Sequence, residues 1–194
     1  MATYGCLLIF FGMKNTIYEY MTPFGNKWRI TLWIFVFTFL LPAMSIYIAY
    51  VLRLIPSLLL SKPSDRTYPY IITFLFYLGL FYMMMDLSIW NVIKLFVAGG
   101  GLAILLTAII NLRYKISAHM VGLGGFLGAL ISMSFLIQFD LTFFYIAVIL
   151  IAGITATARL ILREHKPPQL YLGFALGLGV QTFMFYLLQK LTLI

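Results

Sequence analysis

Six apolar runs, at residues 28–52, 70–85, 92–110, 121–137, 141–162 and 170–188, divide this chain almost from end to end. Each approaches the roughly 20 residues that a helix rising about 1.5 Å per residue needs to cross about 30 Å of hydrocarbon. Lipid offers no hydrogen bonds, so the backbone of such runs must satisfy itself internally, which predicts helices. Composition agrees, with 63% hydrophobic and 9% charged residues, where a soluble domain carries roughly a quarter charged. No interval between runs reaches twenty residues, which leaves no room for a soluble domain. The expected fold is all-α: a polytopic transmembrane helical bundle of six full spans plus a short N-terminal segment, with residues 1–194 as a single membrane domain. That segment, 2–13, is too short to cross, and no positive stretch precedes it as in a cleavable signal.

The net charge of +8 would suggest a nucleic-acid partner in a soluble protein. Here the Lys and Arg residues fall mostly between the apolar runs, where they sit at membrane interfaces. The expected partners are therefore the bilayer and a phosphate-bearing lipid, with no nucleic acid; the sequence does not specify an oligomeric state. Cys6 is the sole cysteine and can form neither an internal disulfide nor a Cys-based metal site.

Gly124 with Gly128, and Gly173 with Gly177, have the four-residue spacing that lets helix backbones approach closely, and Gly99-Gly100-Gly101 is read the same way. Pro42, inside the first run, predicts a kink.

The connections alternate in character. Segments 14–27, 86–91 and 138–140 lie on one side, and 53–69, 111–120 and 163–169 on the other. Crossing parity puts the second set on one face, together with residues at the adjoining span ends. That face gathers Lys62, Asp65 and Arg66, then Arg113, Lys115, Ser117 and His119, then Arg159, Arg163, Glu164, His165, Lys166 and Gln169. Interfacial anchoring accounts for Lys and Arg. It accounts poorly for histidine, and both histidines of the chain are here, each near basic residues. That combination points to chemistry on an anion. Two histidines without a Cys, Asp or Glu set fall short of a zinc site.

These three segments resemble the signatures of the type 2 phosphatidic acid phosphatase family, integral membrane lipid phosphatases. Arg159, five residues, then His165 is similar to the core of the family's last signature; Ile116-Ser117-Ala118-His119 resembles its Pro-Ser-Gly-His element; Lys62, Arg66 and Pro69 resemble its opening Lys…Arg-Pro element. The likeness covers roughly residues 28–190. The chain departs from the pattern at Ala158, Ala118 and the shortened Lys62–Arg66 interval, and Gln169 stands where the family has Asp.

The resemblance implies a lipid phosphatase acting through a phosphohistidine, without metal or cofactor. His165 is the implied nucleophile, and His119 the group that protonates the leaving oxygen and then activates water. Lys62, Arg66, Arg159 and Ser117 are the implied phosphate-binding residues, with Gln169, Glu164 or Asp65 orienting His165. Pro167 and Pro168 are expected to stiffen the turn and start the last helix. Phosphatidic acid, phosphatidylglycerol phosphate, an isoprenyl diphosphate and a lipid A phosphate all fit as substrates. A catalytically silent lipid-binding or scaffold relative is the alternative. A transporter would require ionisable residues in mid-span, and only Lys94, near a run's end, comes close.

Counting every Lys and Arg, eight against five, places the three-loop face in the cytoplasm, a count that residues expected at the site inflate. Without Lys62, Arg66 and Arg159, the two faces carry five basic residues each (Arg53, Arg113, Lys115, Arg163 and Lys166 against Lys14, Lys27, Arg29, Lys94 and Lys190). The resemblance favours the periplasmic side of a bacterial inner membrane.

Overall fold

The computed structural model describes Thr3, Leu7, residues 24–55, Ser57, 64–87 and 91–192. Cys6, Lys62 and most of segment 2–13 lie outside these residues. Helices α1 (Phe24–Phe35) and α2 (Leu41–Val51) are joined by a π-helical turn, Val36–Leu40, and followed by α3 (Thr67–Met85), α4 (Asn91–Asn111), α5 (Ala118–Ile137), α6 (Thr142–Ile161) and α7 (Pro167–Thr192). The described residues contain no strand. Six helices are long and apolar enough to cross a membrane, the first running Asn26–Val51 through the π turn. Each of the six expected spans is present.

Pro42 is accommodated in the first span by this π-helical turn. It has no N–H to give to the carbonyl of Thr38, and its ring crowds that carbonyl. The helix widens just before it, with Leu41 N–H bonding to Val36 O, five residues back. Helical structure continues past the proline to Val51. Helix α3 begins three residues earlier than its apolar run, because Pro69 sits in a first turn where no intrahelical N–H is required.

Lipid-facing surface is plain on the outer helices. Helix α6 buries Val148 and Ala152 against α5 but exposes Ile146, Ile149, Leu150, Ile154 and Ile161. Such a stripe is unfavourable in water and natural in hydrocarbon.

The core is α4, α5 and α7, tied by Val97, Leu123, Leu130, Met133 and Phe185. Chain direction alternates, so α5 and α7 leave the same face and lie parallel, with α6 returning outside them. Their contact is glycine-built as expected. A Cβ on Gly124 would collide with the carbonyl of Phe174, and one on Gly177 with the carbonyl of Val121. On Gly173 it would come within 2.8 Å of Ser117 O. Backbone meets backbone along this seam, so nothing soft can yield.

The glycine triplet of α4 does something else. Gly99 makes room for the carboxamide of Gln181 on α7, while Cβ atoms on Gly100 and Gly101 would lie 2.8 and 3.2 Å from the Tyr77 side chain of α3. The triplet seats two large polar side chains between helices.

Candidate functional site

The three polar loops meet. Arg66 closes a 3-10 turn, Ser64–Arg66, directly above α3. Its guanidinium lies 3.7 Å from the carboxylate of Glu164, which is also 3.7 Å from Lys115 Nζ. Tyr70, one turn into α3, hydrogen-bonds Arg66 from below. First, second and third loops are thus joined through one carboxylate.

Local backbone chemistry aims the third loop. Helix α6 ends with paired bonds, Arg163 N–H to Leu160 O and Glu164 N–H to Arg159 O, around Arg163 in left-handed conformation at φ 54°. This is a Schellman termination carried by a residue other than glycine. It turns the chain at Arg163, two residues past the end of α6, and leaves Glu164 bonded to the carbonyl of Arg159. Pro167 then starts α7, where a missing N–H costs nothing.

Gln169 occupies the third position of α7. Its Oε1 accepts the backbone N–H of Lys166 at 3.0 Å, the returning half of a capping box. The same oxygen lies 3.2 Å from His165 Nδ1. Because a backbone N–H can only donate, the carboxamide atom facing Lys166 must be the oxygen, and Nδ1 must therefore carry the proton. Nε2 of His165 keeps the lone pair. The ring is buried. Burial, and after it the charges of Arg66, Lys115 and Arg159, push its pKa down to about 4, against the Gln169 hydrogen bond. His165 is a neutral imidazole at physiological pH, with one nitrogen presented as a nucleophile or acceptor.

His119 is the second residue of α5. Arg159 Nη2 lies 2.9 Å from its Nε2 and 3.2 Å from its Nδ1. Arginine only donates, so the bonded ring nitrogen is an acceptor.

A cavity of about 680 Å³ opens at this place, and Arg66, His119, Arg159, Glu164 and His165 line it. Its walls are largely apolar, from Ile46, Phe96, Ile104, Val121 and Phe126. Its lining reaches Tyr77 and Gln181. Tyr77 is ten residues along α3 from Thr67, roughly 15 Å by helical rise. The cavity therefore extends from the face to about the middle of a hydrocarbon core about 30 Å thick.

Of the residues expected at the site, His119, His165, Arg66 and Arg159 are brought together on one cavity, and Gln169 supports His165. Glu164 faces Arg66 and Lys115. Asp65 is half-buried in the turn beside Arg66, and Lys62 lies outside the described residues. Ser117 is fully buried and does not line the cavity. Its N–H donates to Gln169 O at 3.3 Å, and its hydroxyl has no partner, so it works as a strut between α5 and α7. Sequence reasoning missed Lys115, Tyr70 and Gln181 as site residues. Tyr70 follows Arg66 by one helical turn, a spacing that could have drawn notice, and Gln181 is a carboxamide inside an apolar run.

Compared with protein-family models, curated proteins and solved structures, the chain matches none.

Proposed function

We propose that this integral membrane protein is a lipid phosphatase that removes a terminal phosphate from a lipid through a phosphohistidine intermediate. One observation carries the reading. Two histidines and two arginines from separate elements converge at the polar mouth of a mostly apolar cavity embedded in the bundle. Phosphoryl transfer demands fixed positive donors around the equatorial oxygens and a nucleophile in line with the leaving oxygen. Arg66 and Arg159 supply planar forks and Lys115 a point charge. His165 Nε2 attacks phosphorus and the bond to the lipid oxygen breaks. His119 in its protonated form delivers a proton to that oxygen. Water then attacks phosphorus as His119 takes its proton, the P–Nε2 bond breaks with its electron pair returning to the His165 ring, and inorganic phosphate leaves.

In the resting arrangement Arg159 is held on His119. An arriving phosphate competes for the Arg159 donors and leaves the His119 ring free to carry the proton it must give. The apolar cavity wall suits the tail of the same molecule. Phosphatidic acid, phosphatidylglycerol phosphate and isoprenyl diphosphates are the candidate substrates, with the site on the periplasmic side of a bacterial inner membrane.

The reading is tested by inorganic phosphate release from a panel of these lipids in detergent. Turnover is expected in the wild type and is lost in His165→Ala. A second reading, a silent relative that binds lipid phosphate, is favoured by one residue: Gln169 provides no charge where a carboxylate would support a protonated ring. Lipid binding without phosphate release from any lipid, in wild type and in Gln169→Asp, would select it.

A further inference from the structure

Gln181 is 2% exposed, and its Nε2 has no hydrogen-bond partner. It lies beside Gly99 at the deep end of the cavity. An unpaired amide donor in mid-membrane is costly, because lipid cannot accept from it. The triplet at Gly99-Gly100-Gly101 makes room for this side chain and for Tyr77 at the same depth.

The neighbouring hydroxyls along the cavity have already committed their protons. Thr73 donates to Pro69 O at 2.6 Å, and Thr107 to Ala103 O at 2.7 Å. Tyr77 bonds to Thr38, whose own proton goes to Ile34 O. Among the described residues, what lines the deep cavity is therefore the carboxamide of Gln181, whose Nε2 is enclosed and unpaired, and hydroxyl oxygens with spare lone pairs. A plain hydrocarbon chain satisfies none of these, and among the described residues no cation lines the deep end to hold a second phosphate. A hydroxyl meets both needs: its oxygen accepts from Gln181 and its hydrogen is donated to Tyr77.

We propose that the Gln181 end of the cavity is a recognition site for a hydroxyl on the hydrocarbon part of the ligand, about 15 Å from the phosphate held at the mouth. The inference rests on the reading of the mouth as a phosphate site, but not on hydrolysis there. It makes the ligand a phosphorylated amphiphile with an oxygenated chain.

The test uses two alkylphosphonates of equal carbon number, non-hydrolysable, one bearing a hydroxyl about 15 Å from phosphorus and the other unsubstituted. Their binding to the full-length protein in detergent is measured for wild type and for Gln181→Met, which keeps the shape and loses the donor. Wild type is expected to prefer the hydroxylated ligand about tenfold, the worth of one such bond. In Gln181→Met the preference is expected to fall below about twofold, within the loss expected for that bond. Equal binding by wild type overturns the proposal and assigns the deep cavity to water. A preference that persists in Gln181→Met overturns the assignment to this residue. If neither phosphonate binds, the phosphate reading of the mouth fails and takes this inference with it. If both bind but the matching phosphate esters release no phosphate, hydrolysis fails and the hydroxyl contact stands.

Discussion

Gln169 and His165 share one hydrogen bond, 3.2 Å from Oε1 to Nδ1, whose acceptor also caps helix α7 through Lys166 N–H. The tautomer of the histidine is thereby tied to the start of the last helix. A carboxylate at this position would hold the same proton and add a negative charge. Glutamine fixes the proton without the charge, and burial, with the surrounding cations after it, keeps the ring neutral down to about pH 4.

The pH dependence follows. With a folded pKa of about 4 and an unfolded value near 6.5, the unfolded chain binds the proton first on acidification. His165 therefore lowers stability as pH falls from about 6.5 to about 4 and has no such effect above that window. Thermal unfolding in detergent across pH 4–7 should show a drop that is smaller in His165→Gln. In activity, the acid limb of log kcat/KM assigned to His165 should lie near pH 4. In Gln169→Asp it should move to higher pH, because the new charge favours the protonated ring.

Arg159 is bonded to His119 and, in the proposed reaction, turns to the phosphate. Arg159→Ala should reduce kcat/KM by about 10³-fold, the lower end for an arginine at a transferring phosphoryl group. Arg159→Lys should recover only part of this, since a point charge cannot span two oxygens. In a double-mutant cycle with His119→Ala the losses should fall short of additive. Initial rates of phosphate release provide the measurement.

Glu164 holds Arg66 and Lys115 in the absence of substrate. A carboxylate there competes with phosphate for the same donors. Glu164→Gln should lower the inhibition constant of inorganic phosphate by roughly three- to tenfold at low ionic strength, since a partly exposed pair is worth about 1 kcal/mol. The difference should shrink in high salt.

Gly177 admits the Val121 carbonyl where a side chain would stand. Gly177→Ala should destabilise the bundle by about 1–3 kcal/mol through forced separation of α5 and α7. A comparable change at Gly179, which has open space beside it, should have little effect. Unfolding midpoints of the two variants in one detergent check the contrast.

The spans and the shared face of the loops were legible because length and parity are one-dimensional properties of a chain. Run 141–162 needed only its apolar residues to be recognised, and His119 and His165 needed only a count of crossings to be placed together. Rotation about each helix axis is not encoded so simply. That is why Glu164 faces Arg66 and Lys115 although it was expected, with Asp65 and Gln169, as a support for His165. It is also why Ser117 points into the α5–α7 seam. The glycines divide on the same ground. Those of α5 and α7 have the spacing of a backbone contact and make one, whereas the triplet in α4 accommodates side chains from two other helices, which no local pattern announces. Lys115 was legible as a basic residue near the interface and became part of the site only through the fold of the third loop.

The parallel pairing of α5 and α7 sets the order in which the site is made during synthesis. When α5 enters the bilayer its glycine face has no neighbour, and α6, which follows, binds elsewhere on it. His165, Gln169 and Gln181 all arrive with the final span. A nascent chain halted after α6 thus carries Arg66, Arg159 and His119 but neither His165 nor the Gln181 end of the cavity. The proposed site is complete only once α7 packs against α5.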